Sequence, residues 1–222
     1  YKYSIMEVKG VDVFMLKEYL EKTYGYNEPI FISEIQLDGM NDNALRQYFK
    51  RMLKSGDMAR FDTGIYYLPK ASRLLKQSYL DPMKVIIRKY ITNSKETYGY
   101  FSGAMSANQL GLTTQMPAVL EIVTSKESSK GRTVTIGSQT LRLKRPAIEI
   151  TSQNARLLQF LDTVAQIEKY SEYSEAETKS LLRNYARKQN YTQVLLSSVF
   201  PAVTGTTAKK LIEWGIIYEF TS

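Results

Sequence analysis

The 222-residue chain is 43 % apolar, which is typical of a globular protein of one large or two small domains. It contains neither Cys nor His, which excludes disulfides, thiolate nucleophiles, Cys-ligated metal sites and a Ser–His–Asp hydrolase. No window is apolar enough for a transmembrane helix. We therefore expect no cofactor, no metal, no enzymatic activity and no membrane partner, and the cytoplasm is the natural compartment.

The basic charge is unevenly distributed along the chain. Thirty Lys and Arg against 22 Asp and Glu give a formal charge of +8. Residues 1–45 carry 4 basic against 8 acidic side chains, whereas residues 46–80 carry 8 against 2 and residues 81–150 carry 10 against 5. A localised basic surplus is the electrostatic signature of a nucleic-acid or other acidic partner.

The first 40 residues predict two small elements. Apolar residues at helical spacing predict a helix over residues 11–24, which Gly25 ends. A short extended piece at residues 31–32 then leads into a brief helix.

The clearest helix covers residues 43–54, with Asn41 or Asp42 as its N-cap and Gly56 at its end. Its apolar stripe, at i, i+3, i+4, i+7 and i+8, is Leu45, Tyr48, Phe49, Met52 and Leu53. The opposite face carries Asn43, Arg46, Gln47, Lys50, Arg51 and Lys54.

Two strand-like runs, DMARF and GIYYLP, follow this helix and are joined by a turn at residues 62–64. Helix, short helix, longer helix and hairpin is the element order of a winged helix-turn-helix domain. We predict such a domain over residues 1–78. Its boundary falls within a linker-like piece at residues 70–82.

A winged helix places its second helix in the DNA major groove. Arg46 would bond guanine, and Asn43 or Gln47 would bond adenine. Lys50, Arg51 and Lys54 would meet phosphates, and Arg60 on the first wing strand would add a backbone or minor-groove contact. A solvated charged face, or a protein-binding face, is the alternative explanation of the same pattern.

Residues 79–222 predict a mixed α/β domain with a helical C-terminus. Strand patterns at residues 98–101 and 118–124 flank a helix that begins after Ser102, and a hairpin turns at residues 137–138. Four helical patterns follow from Asn154 onward. The fold class is therefore α+β.

Two further sets of charged residues lie in the second half. The basic hairpin carries Lys130, Arg132, Arg142, Lys144 and Arg145. These residues would bind an acidic protein, RNA or DNA backbone, or they would only discourage edge-to-edge aggregation. Glu168, Glu172, Glu175 and Glu177 suggest a metal site, but without His a helix N-terminus and a solvated loop explain them better.

The chain resembles the AbiEi antitoxins of the bacterial AbiE type IV toxin–antitoxin systems, which act in abortive infection. The resemblance rests on GIYYLP, on YGYFSGAMSANQLGLTTQMPAVLEIVT at residues 98–124, and on the basic strand and helical C-terminus that follow. It implies a repressor that binds inverted repeats in its own double-stranded promoter DNA. It also implies a C-terminal domain that counters a nucleotidyltransferase toxin, with direct contact left open.

Two rival interpretations remain. In the first, the chain is a winged-helix transcription regulator whose second domain senses a ligand or dimerises. Alternatively, it would be a carboxylate enzyme of nucleic-acid modification, although no acidic constellation in the sequence supports this.

Overall fold

A computed structural model describes residues 13–70 and 78–221. Within those residues it is an α+β protein with eight α-helices and two small sheets, which confirms the predicted class. The chain forms two compact units, Tyr1–Val85 and Ile86–Ser222. Residues 71–77 of the expected linker lie outside the described residues, and the expected boundary after residue 78 stays a prediction.

The first unit combines helices with a three-stranded sheet. Its elements are α1 (Val13–Thr23), β1 (Ile30–Phe31), a 3₁₀ helix (Ile32–Glu34), α2 (Asp42–Ser55), β2 (Ala59–Asp62) and β3 (Ile65–Tyr67). The strand order is β1-β3-β2, with both pairs antiparallel. The expected start of the first helix, at residues 11–12, lies outside the described residues.

Local chemistry fixes both ends of α2. The Asn41 side chain accepts a hydrogen bond from the Ala44 amide at 2.8 Å, which satisfies one of the unpaired donors of the first turn. Gly56 ends the helix at φ 81°, a left-handed conformation that glycine adopts without steric cost. Leu45, Phe49 and Met52 are buried, as the apolar stripe predicts.

An apolar cluster packs the elements of the first unit against one another. It joins α1, β1, α2 and the loop that precedes the hairpin. The core residues are Leu16, Leu20, Ile30, Ile35, Leu45, Phe49, Met52, Met58 and Leu68.

The second unit is built on a four-stranded sheet. The strands are β4 (Gly99–Ser102), β5 (Val119–Thr124), β6 (Arg132–Ile136) and β7 (Gln139–Lys144). Their order is β4-β5-β7-β6, with β5 and β7 parallel and the other pairs antiparallel. The helices are α3 (Pro82–Tyr90), within which the two units divide, α4 (Gly103–Gln109), α5 (Ala155–Gln166), α6 (Glu175–Gln189), α7 (Gln193–Val199) and α8 (Gly205–Glu213).

Helix α5 forms the centre of the second core. Leu157, Phe160 and Val164 on α5 are fully buried, and Leu182 of α6 and Leu211 of α8 belong to the same cluster. None of the helices in the described part of the chain is long and apolar enough to cross a membrane.

Ser102 does not act as the side-chain cap of α4 that its position suggests. Its backbone occupies the N-cap position, but its hydroxyl donates to the Asp162 carboxylate at 2.6 Å. The bond is tertiary, because α5 packs against β4 and brings the Asp162 carboxyl group within reach of the Ser102 hydroxyl.

Candidate nucleic-acid interface

The polar face of α2 is a set of exposed side chains. Every residue that the sequence assigns to it is exposed: Asn43, Arg46, Gln47, Lys50, Arg51 and Lys54. Among the described residues, none of its four cations has a carboxylate within ion-pairing distance. Elsewhere, Lys17, Lys84 and Lys144 are all ion-paired.

The two carboxylates that follow α2 in the sequence are already engaged. Asp57 accepts hydrogen bonds from Lys17 Nζ and the Ser55 hydroxyl, each at 2.6 Å. The Lys17 bond, followed by the Ser55 bond, lowers the pKa of Asp57. Asp62 accepts from the Thr63 amide at 2.6 Å and so shapes the hairpin turn. These two acids therefore stabilise the scaffold, and Asp42 in the first turn of α2 forms no ion pair with the α2 cations in the described part of the chain.

An aromatic contact places the β2–β3 hairpin beside α2. Phe49 of α2 and Tyr66 of β3 meet edge to face, with ring centroids 4.9 Å apart and planes at 86°. β3 is also paired to β1, so the hairpin is held from two sides.

Arg60 extends from this hairpin and is held in place by its turn. Its Nε donates to the Asp62 carbonyl at 3.2 Å and its Nη2 to the Thr63 hydroxyl at 3.1 Å. A guanidinium has five N–H donors, so Arg60 keeps donors that have no partner among the described residues.

A groove of about 340 Å³ runs between α2 and the hairpin, and three of the predicted cations line it. Arg46 and Lys50 come from the helix and Arg60 from β2, while Phe49 and Tyr66 contribute to its walls. The structure thus brings together residues that are up to 14 positions apart in the sequence. A groove with cations on both walls suits a polyanion such as a phosphate backbone.

The other predicted α2 residues lie outside this groove. The Arg51 guanidinium lies 5.5 Å from the centroid of the Tyr48 ring, an i−3 neighbour. Asn43, Gln47 and Lys54 do not line the groove. Since they follow the exposed side of the helix, they remain available to an external partner.

The second predicted basic set does not form one continuous surface. Arg132 lies opposite Leu143 in the strand register and Arg142 opposite Thr133, so side-chain alternation sends the two arginines to opposite faces. Arg132 pairs with Glu127 at 2.6 Å and Lys144 pairs with Glu121. Hydrogen bonds from Ser129, and then from Arg132, lower the pKa of Glu127 to about 2.

Lys130, Arg142 and Arg145 are the exposed members of this set that have no ion pair among the described residues. Partner binding by this hairpin stays a prediction.

Each of the four glutamates has a separate local role. Glu168 pairs with Lys210 at 3.1 Å, and Glu175 pairs with Lys179. Glu177 forms a capping box with Ser174, and Glu172 accepts from the Thr113 hydroxyl and the Thr114 amide. Within the part of the chain that the structure describes, no cluster of three or more such ligands could hold a metal ion.

Two side chains of the second unit line a cavity that the sequence did not predict. Tyr100 of β4 and Asp162 of α5 line one cavity together with Lys144. Burial raises the pKa of Asp162, although the Ser102 hydroxyl and the Lys144 charge act against it. The available clue is one carboxylate within the otherwise uncharged run LLQFLDTVAQI.

The chain belongs to the family of unknown function DUF6088, whose model matches residues 21–190. The matched segment includes both the α2–hairpin groove and the four-stranded sheet. No curated protein matches the chain.

Proposed function

We propose that the first unit is a winged helix-turn-helix domain that binds double-stranded DNA. The observation that carries the proposal is the groove lined by Arg46, Lys50 and Arg60, none of which forms an ion pair within the described chain. A solvated helix face does not require cations from a separate hairpin to converge on the same groove.

In this proposal α2 lies in the major groove and the β2–β3 hairpin is the wing. Asn43, Arg46 and Gln47 lie in the first half of α2, the part of a recognition helix that reaches base edges. Lys50, Arg51 and Lys54 follow on the second half and contact phosphates, and Arg60 contacts the backbone from the wing. The sheet order β1-β3-β2 supports this assignment because β1 anchors the hairpin.

We propose further that the protein is an antitoxin that represses its own operon and counters a nucleotidyltransferase toxin. The support is the resemblance of residues 98–124 to AbiEi antitoxins. One helix–wing unit reads only a few base pairs, so two copies on inverted repeats would supply the specificity of a repressor.

Binding to the DNA upstream of the gene itself tests the first proposal. Fluorescence anisotropy would compare the wild-type chain with the double variant Arg46→Ala/Lys50→Ala, and with Lys95→Gln as a control at an exposed lysine of the second unit. We expect the double variant to lose at least about tenfold in affinity, or about 1.4 kcal/mol, and the control to bind like wild type. Unchanged binding by the double variant would show that α2 is not the interface.

A growth assay separates the two activities. The full chain would be co-expressed with a nucleotidyltransferase toxin of the AbiE type, and a promoter reporter would be measured in the same cells. We expect Arg46→Ala/Lys50→Ala to relieve repression while still rescuing growth. Failure of the wild-type chain to rescue growth would refute the antitoxin role and leave the DNA-binding proposal standing.

A further inference from the structure

The second unit contains a cavity that the DNA-binding proposal does not use. It has a volume of about 230 Å³, below the range of roughly 300–1,000 Å³ typical of drug-sized ligand pockets. Strands β4, β5 and β7 meet helix α5 and the start of α8 there. A concave opening lined by several elements and by mixed apolar and polar side chains is a candidate binding site.

Most of the cavity wall is apolar. Val123 of β5 and Leu158 and Leu161 of α5 line it and are buried. Ile148, in the segment after β7, adds a further aliphatic side chain. Such a wall binds the hydrocarbon body of a ligand and excludes water from it.

The polar groups that remain available in the cavity are mainly donors. The Tyr100 hydroxyl has no hydrogen-bond partner among the described residues. Burial strongly raises the pKa of this phenol, so the hydroxyl keeps its proton and can donate it. Lys144 uses one donor on Glu121 and retains two of the three that an ammonium carries. Arg145 is exposed and has no ion pair within the described chain.

The single acidic group in the cavity lining is already occupied on both oxygens. Asp162 Oδ2 accepts from Ser102 at 2.6 Å, and Oδ1 accepts from Gln166 at 3.0 Å. Lys144 is paired with Glu121, so Arg145 is the cation of the lining that has no ion pair among the described residues. Free donors, the unpaired Arg145 and an apolar wall together suit an acceptor-bearing anion with a hydrocarbon body.

We propose that this cavity binds a small organic monocarboxylate, with its apolar body against Val123, Leu158 and Leu161 and its carboxylate on Tyr100, Lys144 and Arg145. This binding site lies in the second unit and is separate from the groove between α2 and the hairpin. A regulator with such a site would respond to a metabolite of this chemical class.

Ligand-observed NMR and titration calorimetry on the full chain test the site with two probes, benzoate and phenylacetate. Benzamide serves as the neutral control of similar shape, and inorganic phosphate as an anion without a hydrocarbon body. We expect at least one of the two acids to bind saturably, and both controls to bind at least about tenfold more weakly, a difference of about 1.4 kcal/mol. No saturable binding of either acid, or equal binding of benzamide, would overturn the proposal.

Two variants locate the binding, with a matched control. Arg145→Gln removes an exposed charge, so it should fold normally and weaken the acid at least about tenfold. Leu161→Trp fills the cavity and should abolish binding. Arg142→Gln, an exposed arginine of β7 outside the cavity lining, should bind like wild type. Wild-type affinity in Arg145→Gln would refute the site even if Leu161→Trp failed to fold.

Discussion

Gly99 is the position where a single added methyl group should damage the second unit most. A Cβ built on Gly99 would lie 2.0 Å from the Tyr90 carbonyl oxygen and 2.9 Å from that of Val123. Both contacts are to backbone, which cannot rotate away, so β4 would have to move from its partner strand. Overpacking costs about 1–3 kcal/mol, and two backbone clashes place Gly99→Ala near the upper end, at about 3 kcal/mol.

Thermal unfolding followed by circular dichroism would measure this effect. A loss of about 3 kcal/mol corresponds to a Tm lower by roughly 6–12 °C in a protein of this size. The matched control is Gly205→Ala, at the first residue of α8, where an added Cβ meets nothing within 4 Å. That substitution should be neutral or stabilise by about 0.4–1 kcal/mol through the unfolded state. Equal Tm values for the two variants would refute the close approach at Gly99.

Three further substitutions test individual interactions. Asn41→Ala removes the α2 cap and should cost about 1 kcal/mol in urea unfolding; an unchanged midpoint would contradict the cap. Burial holds the folded pKa of Asp162 above its ordinary value of 3.8, so its contribution to stability falls as pH rises through the folded pKa. Asp162→Asn should therefore gain stability relative to wild type as pH rises from 3.8 through the folded pKa, and a constant difference would count against burial. The pKa shift of Glu172 has the opposite sign, because hydrogen bonds from the Thr114 amide and then the Thr113 hydroxyl lower this pKa below 4.5. Its stabilisation is present above the unfolded pKa and is lost as pH falls through the folded one, so Glu172→Gln should flatten the acid limb of the stability curve.

The sequence predicts α2 and its hairpin well because their signals are local. The apolar stripe, the Asn41 cap, the Gly56 stop and the turn before Gly64 all lie within 24 residues. The order of these elements also brings Arg60 near the helix in the predicted domain. The pairing of β1 with β3 is a contact across more than 30 positions, and no periodicity in the sequence predicts it.

The cavity of the second unit could not be predicted for the same reason. Tyr100 and Asp162 are 62 positions apart, and only the packing of α5 on the sheet brings them together. Lys144 is predicted as an outward basic side chain, yet the parallel pairing of β5 and β7 places Glu121 beside it. Charge patterns in sequence locate cations, but the tertiary contacts decide which of them are neutralised.

In the proposed complex, the cations of α2 and its hairpin neutralise DNA phosphates. The dependence of the binding constant on salt concentration measures this most directly, because the slope of log K against log salt is about −0.9 for each phosphate contact. For the full chain on its own upstream DNA, Lys50→Gln should make the slope shallower by about 0.9, while Lys95→Gln leaves it unchanged. An identical slope for wild type and Lys50→Gln would contradict the account.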